Sequence, residues 1–131
     1  MAIEVRYFLN HVRESFLQVE VLCARAEKLR EMATRAGGGT GRKKSPEPFV
    51  IELMDVHAEL QEKIRKLMAD VRVAEKLIET LENGNQRAVL NLYYLCGHKW
   101  NEIAKEAHYT LRWVQKLHAD GVAELERRYK E

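Results

Sequence analysis

Hydrophobic residues recur in alternating steps of three and four positions from Val5 to Ala36. This spacing places every member of the series on one face of an α-helix. The series, which includes one serine, is Val5, Phe8, Val12, Ser15, Val19, Leu22, Ala26, Leu29, Ala33 and Ala36. The pattern predicts a first helix of more than 30 residues that ends at a run of glycines.

A second series with the same spacing predicts a second long helix. Its members are Val50, Leu53, His57, Leu60, Ile64, Leu67, Val71, Ala74, Ile78 and Leu81. His57 is the only polar member, and we interpret it as a register-setting or hydrated histidine because nothing nearby is spaced as a second metal ligand. Asn83 and Gly84 follow, and this pair is expected to end the helix.

The segment between the two series predicts a flexible loop over residues 37–48. Glycines disfavour helix by about 1 kcal/mol each relative to alanine, and the basic residues Arg42, Lys43 and Lys44 precede Ser45-Pro46. The glycine spacing does not match a P-loop, although loose phosphate contacts through the three basic residues stay open. Two long helices joined by so short a loop must run antiparallel, each roughly 50 Å long.

Residues 83–131 differ in composition, since they hold both tryptophans and four of the five tyrosines. We therefore divide the chain into a helical hairpin over residues 1–82 and a second domain over residues 83–131. Short helices are predicted within 86–95, at 100–107 and from residue 111 onwards. Trp100 is expected to pack in the core of this domain. Trp113 would either pack on the helix of Tyr93 and Tyr94, which we favour, or lie against a DNA backbone.

The spacing of apolar and small residues in the second domain predicts a helix-turn-helix. Ala104 supplies the small residue that close helix crossing requires, and Thr110 suits the N-cap of the second helix. The expected core positions are Ile103, Ala107, Tyr109, Val114 and Leu117. His108 occupies a turn position that normally needs a positive φ, which histidine adopts less readily than glycine. The predicted fold class is all-α: a long antiparallel helical hairpin followed by a small C-terminal helix-turn-helix domain.

No acidic residue lies between Glu106 and Asp120, so the helix over residues 111–120 is expected to present a locally positive surface. Its partner would be double-stranded DNA, with this helix in the major groove. The predicted DNA-binding residues are Thr110, Leu111, Arg112, Gln115, Lys116, His118 and Lys99. Among these, Arg112, Gln115 and Lys116 would face base edges, and Thr110, Lys99 and His118 would lie near phosphates.

Composition narrows the class of protein. The chain has 22 Lys and Arg against 20 Asp and Glu, which excludes a protein that coats nucleic acid with a uniformly basic surface. No run approaches the roughly 18 apolar residues of a membrane span, and charges within the first residues argue against a signal peptide. We expect a cytoplasmic protein that does not bind membranes. Cys23 and Cys96 are expected to be reduced and buried.

No catalytic residue, metal ligand or cofactor is predicted. Nothing in the sequence pairs a nucleophile with a base, and Cys96-Gly97-His98 lacks a second pair with zinc spacing. The expectation is a protein that is not an enzyme.

Residues 86–125, QRAVLNLYYLCGHKWNEIAKEAHYTLRWVQKLHADGVAEL, resemble region 4 of bacterial primary sigma factors. They are more similar still to small sigma-like regulators encoded by phages and prophages of Gram-positive bacteria, in which W-x-E-I-A and Y-[ST]-x-R-W-V-x-x-L-H recur. These strings are Trp100–Ala104 and Tyr109–His118 here. The family also has a long N-terminal helical hairpin. The resemblance implies a nucleoid-associated, DNA-binding transcriptional role in a bacterial host cell.

The chain departs from sigma region 4 at the positions that read promoter bases. There the helix exposes Arg, Glu, Arg and Gln, and the matching positions here are Leu111, Arg112, Gln115 and Lys116. The glutamate that accepts a hydrogen bond from cytosine in sigma region 4 is thus replaced by Arg112, a basic residue suited to contact guanine or phosphate. This change argues against recognition of an ordinary −35 element.

Two other functions stay open at this point. One is an adaptor that binds RNA polymerase or a host factor through the hairpin, since sigma region 4 also binds polymerase. The other is a small terminase subunit, a packaging protein that also combines a helix-turn-helix with long helices.

Apolar residues beside each helical series predict a homodimer. A single seam between two helices needs only a narrow stripe of apolar residues. Apolar residues outside that stripe would be exposed to water in a monomer and would favour association of two chains. The additional residues are Leu9, Phe16, Cys23, Phe49, Val56, Met68 and Leu77. Two hairpins would then form a four-helix bundle that presents two helix-turn-helix units to a palindromic DNA site.

Overall fold

A computed structural model describes residues 4–38 and 46–129 of the chain. Every regular element in these residues is helical: α1 (Val5–Gly38), α2 (Glu47–Glu79), α3 (Gly84–Leu90), a π-helical turn (Asn91–Leu95), α4 (Trp100–Ala107) and α5 (Leu111–Arg128). The all-α class is confirmed, as are the hairpin of two long packed helices and the small C-terminal unit of short helices. No helix of the described ranges is both long and apolar enough to cross a membrane.

Helix α1 follows the predicted series. Val5, Val12, Leu22 and Ala26 are buried, and no member of the series is fully exposed. The helix spans 34 residues and ends at Gly38, within the run of glycines, so the predicted length and end are confirmed, although the first two glycines are still helical. Propensity is a weak preference, and a long helix extends cooperatively through residues that would not start one. Arg42, Lys43 and Lys44, with their suggested phosphate contacts, lie outside the described residues.

Helix α2 departs from the predicted series in its first half. Val56 is buried, whereas His57 is exposed, and Ile64 is 36% exposed. The expectation that His57 lies in the seam is therefore wrong. A straight helix drifts about 20° per heptad relative to a seven-residue repeat, so a neighbouring row can take over the buried side. From Leu67 onwards the predicted series is buried or half-buried again.

The chain forms two compact units that share both long helices. One unit comprises Leu17–Lys66, and the other comprises Met1–Phe16 with Leu67–Glu131. The boundary between the units thus lies within α1 and within α2, because the start of α1 and the end of α2 belong with the short helices. The division at residues 82 and 83 stays a prediction about function and independent folding.

The unit Leu17–Lys66 has a small core. Leu22, Ala26 and Val56 form its buried cluster, with Leu29, Leu53 and Leu60 packed against it. Arg25 pairs with Glu52 at 2.5 Å between Nη2 and Oε1. Several large hydrophobic side chains of this unit are exposed in its described residues: Leu17, Val21, Met32, Val50, Ile51, Met54 and Ile64.

The junction between α2 and α3 corrects the interpretation of Asn83 and Gly84. Helix α2 ends at Glu79, before this pair, and Gly84 is already the first residue of α3. The Asn83 side chain accepts hydrogen bonds from the backbone of Asn85 at 2.9 Å and of Gln86 at 3.1 Å. Asparagine is a preferred N-cap residue, so this pair starts a helix instead of ending one.

Five of the seven residues used to predict a dimer are buried or half-buried within the chain itself. Leu9, Val56 and Leu77 are buried, and Phe16 and Phe49 are half-buried. Only Cys23 and Met68 of that set are exposed. Most of these residues therefore contribute no exposed surface for association, because each helix packs along more than one narrow seam. The homodimer itself stays a prediction.

The expectation that both cysteines are buried is also wrong, since Cys23 and Cys96 are free and exposed. Cys23 follows the buried Leu22 on the outer side of α1. Cys96 follows the π-helical turn and precedes Gly97, whose φ of 73° redirects the chain.

Candidate nucleic-acid interface

The helix-turn-helix core contains four of its five predicted positions, and Ala107 is half-buried outside the main cluster. Val89, Ile103, Val114 and Leu117 make one buried cluster. The half-buried hydrophobic residues packed against it are Leu92, Tyr93, Trp100, Ala104 and Tyr109. Helices α3 and α4 both pack on α5, and this packing determines which side of α5 faces the solvent.

The turn between α4 and α5 has the backbone that the motif requires. His108 adopts φ 59° and ψ 39°, and it is the only non-glycine residue with a positive φ in the described ranges. The Tyr109 amide donates to the Ala104 carbonyl at 2.9 Å, which closes α4. The Thr110 hydroxyl accepts from the Trp113 amide at 3.1 Å, so the N-cap prediction is confirmed.

Gly121 allows α3 to approach α5 closely. A Cβ atom built on Gly121 would lie 3.0 Å from Leu90 Cδ1 and 3.4 Å from Gln86 Cβ. Leu90 is fully buried and cannot move away freely. Gly121 disfavours helix by about 1 kcal/mol relative to alanine, and this close contact gives the residue a structural role.

The π-helical turn was not predicted. The Cys96 amide donates to the Asn91 carbonyl at 3.1 Å, five residues earlier, and this wider turn ends α3. Such turns often occur at functional sites. Tyr93 and Tyr94 lie within it, and their rings meet edge to face with centroids 4.9 Å apart.

Arg13 of α1 binds this turn. Its guanidinium donates to the Tyr93 carbonyl at 2.6 Å and to the His98 carbonyl at 2.9 Å. The same group lies 3.9 Å from the centroid of the Tyr93 ring, a cation–π contact. Two hydrogen bonds from one planar donor fix an orientation that a lysine would not. No sequence signal pointed to Arg13, because its partners are 80 and 85 residues away.

Trp100 packs as predicted and Trp113 does not. The Trp100 ring stacks on Tyr93 with centroids 3.9 Å apart and an interplanar angle of 8°. Trp113 is 40% exposed on α5, so the expectation that it packs in the core is wrong. One step along a helix turns a side chain by 100°, which carries Trp113 away from its buried neighbour Val114.

His118 lies in an aromatic cluster instead of at the DNA-facing surface. Its ring contacts Tyr93, Tyr94 and Trp100, and its Nε2 lies 2.5 Å from the Tyr94 hydroxyl. Burial, helped by the charge of Arg6, lowers the pKa of His118 to about 4. Burial also raises the pKa of Tyr94 to about 12. A half-buried imidazole that is neutral near pH 7 is poorly suited to binding phosphate, so this position does not support the expected phosphate contact.

The solvent-facing side of α5 carries the other predicted residues. Arg112, Gln115 and Lys116 are exposed and lie within about 100° of one another around the helix. Ala119 is exposed on the same side and adds little bulk. Lys116 Nζ lies 3.2 Å from Asp120 Oδ2, so its charge is partly balanced. In the ranges that the structure describes, Arg112 forms no ion pair, which leaves a full positive charge in the middle of this side.

Two apolar side chains flank these polar residues. Leu111 is 42% exposed at the start of α5, and Trp113 lies two residues further on. Side chains of this kind can contact the thymine methyl group or the sugars of a nucleic acid backbone. They extend the exposed side of α5 into a mixed polar and apolar surface.

A cleft of about 320 Å³ lies next to this surface. Its lining residues are Arg13, Tyr93, Lys99, Trp100, Asn101, Leu111 and Gln115. Lys99 is exposed just before α4, and its amide donates to the Glu102 carboxylate at 2.8 Å. The cleft therefore brings Lys99 and Asn101 from the start of α4 close to Leu111 and Gln115 of α5.

Ion pairs hold the far end of α5. Arg6 Nη2 lies 3.1 Å from Glu126 Oε1, and Arg6 Nε donates to the second oxygen at 3.3 Å. Hydrogen bonds from Arg127 and then Arg128 lower the pKa of Glu124 to about 2. The charges at this end are paired with each other, unlike that of Arg112.

No group of three or more potential metal ligands occurs in residues 4–38 and 46–129. Comparison with protein-family models, with curated proteins and with solved structures finds no match. The resemblance to sigma-like phage regulators therefore stays a prediction from the sequence strings.

Proposed function

We propose that this protein is a DNA-binding transcriptional regulator that inserts α5 into the major groove of double-stranded DNA. The observation that carries the proposal is the helix-turn-helix geometry. Ile103, Val114 and Leu117 pack α4 against α5 around a left-handed turn at His108. That packing leaves the opposite side of α5 exposed, and this is the side that enters the groove in the motif.

The chemistry of the exposed side of α5 supports base recognition. Arg112 can donate two hydrogen bonds to the O6 and N7 atoms of guanine, and Gln115 can pair in the same way with adenine. Lys116 contributes charge that Asp120 partly offsets. Leu111 would contact a thymine methyl group, and Ala119 would allow close approach.

Phosphate contacts would position α5 without reading sequence. Lys99 and Thr110 stand at the starts of α4 and α5, where helix N-termini favour negative charge. Because the chain has a net charge of only +2, we expect few phosphate contacts and a modest dependence of affinity on salt.

The resemblance to regulators of phage and prophage genes agrees with this function, and it implies a nucleoid-associated protein in the cytoplasm of a bacterial host. Under that hypothesis, Arg112 in place of an acidic residue means that the protein reads a site other than an ordinary −35 element.

Selection of binding sites from a random duplex library, followed by fluorescence anisotropy at moderate salt, tests the proposal. We expect one enriched sequence and a loss of roughly 10- to 100-fold in affinity for it with Arg112→Ala. Lys99→Ala should weaken binding to all sequences and lower the salt slope by about one. Arg72→Ala, an exposed arginine of α2, is the matched control. Failure to enrich any sequence, or unchanged binding by Arg112→Ala, would refute the proposal.

An adaptor for RNA polymerase is the second candidate, because seven large hydrophobic side chains are exposed in the unit Leu17–Lys66. Purified polymerase retained on the immobilised protein after nuclease treatment, and lost with Val21→Glu, would favour it.

A further inference from the structure

One side of α2 carries a row of side chains that is exposed in residues 4–38 and 46–129, the part of the chain that the structure describes. The members of this row are Val50, Met54, His57, Gln61 and Ile64, which we call the α2 stripe. At 100° per residue they fall within an arc of about 80°. Met54 is 66% exposed, and no Asp, Glu, Lys or Arg occupies any of the five positions.

The spacing of the α2 stripe is that of a coiled-coil seam. Its steps are four, three, four and three residues, which keep every member against one partner helix. The neighbouring side of α2, about 90° away around the helix, packs in the core of the unit through Leu53, Val56 and Leu60. The apolar surface of α2 is therefore wider than the part that the described residues cover. Fully burying a side chain such as methionine or isoleucine is worth about 1.5–3 kcal/mol, which gives the α2 stripe a reason to associate.

The order of residues in the α2 stripe reads the same in both directions. Met54, His57, Gln61 and Ile64 are spaced three, four and three, with apolar residues at the ends and polar residues in the centre. In an antiparallel pair, Met54 of one copy faces Ile64 of the other. His57 faces Gln61, and an imidazole and an amide can hydrogen bond to each other. Antiparallel helices also align their dipoles favourably.

We propose that two copies of this protein associate through the α2 stripe as an antiparallel helix pair. Val50 of each copy would then face Met68 of the other, which is itself 53% exposed. Ala58 lies beside the twofold axis, where a small side chain lets the helices approach closely. The absence of lysine and arginine from the stripe disfavours nucleic acid as its occupant. This inference does not depend on the proposed DNA binding. The dimer would nevertheless contain two copies of α5.

Sedimentation equilibrium over a range of micromolar concentrations tests the association. We expect the mass of two 15.3 kDa chains to be approached as the concentration rises. Met54→Glu and Ile64→Glu should each weaken association at least tenfold, because each buries an unpaired carboxylate. Val73→Glu is the matched control, since Val73 is 49% exposed on another side of the same helix. Circular dichroism checks that all variants fold.

A chain that stays monomeric throughout, or a dimer that Met54→Glu leaves intact, would overturn the proposal.

The relative direction of the two α2 helices is tested by disulfide cross-linking in a Cys23→Ser, Cys96→Ser background. His57→Cys and Gln61→Cys proteins should cross-link efficiently when mixed and poorly when alone, because only the antiparallel pair brings residues 57 and 61 within disulfide range. If each variant instead cross-links efficiently with itself, and mixing the two gives no additional cross-linked product, the antiparallel arrangement is contradicted.

Discussion

The two compact units of this chain bury their apolar residues to different extents. In the unit that contains α3, α4 and α5, a cluster of Val89, Ile103, Val114 and Leu117 is almost entirely shielded from solvent. In the unit Leu17–Lys66, three residues form the buried cluster and seven large hydrophobic side chains remain exposed. The unit of short helices also exposes five such side chains in its described residues, but it buries many more apolar residues than the unit Leu17–Lys66 does. The ratio of exposed to buried apolar side chains is therefore much higher in the unit Leu17–Lys66.

The units also differ in how distant parts of the chain are joined. Arg13 and Arg6 of α1 bind groups 80 or more residues away in the unit of short helices. The unit Leu17–Lys66 is joined by polar contacts such as Arg25–Glu52, between exposed side chains. Exposed pairs contribute about 0–1 kcal/mol, so this unit depends mainly on the packing of two helices.

The same substitution in the two units gives the sharpest contrast. Ile103→Ala removes a fully buried side chain and should lower the free energy of unfolding by about 3 kcal/mol. Ile64→Ala removes a side chain that is 36% exposed and should change it by less than about 1 kcal/mol at concentrations where the chain is monomeric. Urea denaturation followed by circular dichroism measures both. Equal losses would remove the distinction between the units.

Arg13→Ala is expected to have the next largest effect, a loss of about 2 kcal/mol in the free energy of unfolding, because the carbonyls of Tyr93 and His98 lose their charged donor. Both tryptophans lie in residues 83–131, so the urea midpoint from tryptophan fluorescence reports on the short helices. Arg30→Ala, at an exposed arginine of the same helix, should leave that midpoint unchanged. Arg13→Lys should restore only part of the loss. A normal midpoint for Arg13→Ala would mean that the guanidinium does not stabilise the π-helical turn.

The smallest expected effect is a dependence on pH through His118. Its pKa is about 4 in the folded chain and about 6.5 when unfolded. The unfolded state therefore binds more protons between these values, and stability is lost as the pH falls from about 6.5 towards 4. Because the ring is only partly enclosed, we expect a loss of about 1–2 kcal/mol over that range.

Tryptophan fluorescence in urea, measured at several pH values, follows this loss. His118→Gln, which cannot titrate, should show a flatter profile over the same range. An identical pH profile for the variant and the parent chain would show that other groups carry the dependence.

Local spacing was enough to predict the parts of the fold that depend on neighbours along the chain. The positions of Ile103, Val114 and Leu117 in one core, the positive φ at His108 and the cap at Thr110 all follow from residues within one or two helical turns. The choice between neighbouring rows on α2 could not be made in this way, because Val56 and His57 differ by only 100° around the helix and the packing of α1 selects between them.

The candidate interface was predicted in outline and corrected in detail. Arg112, Gln115 and Lys116 are exposed as the pattern indicated, whereas His118 turns into the aromatic cluster and Trp113 turns out of the core. Whether a side chain near the edge of a buried face points in or out depends on the rings that surround it. Tyr93, Tyr94 and Trp100 come together only after α3, the π-helical turn and α4 have packed on α5.

The sequence by itself determined the all-α class, the two long helices, and the composition of the helix-turn-helix core, because hydrophobic periodicity and capping act over a few residues. Only the tertiary structure decided that Arg13 binds the π-helical turn, that His118 is half-buried, and that one side of α2 is exposed in the described residues. Each of these depends on contacts between residues far apart in the chain, and helical periodicity carries no information about which distant groups will meet.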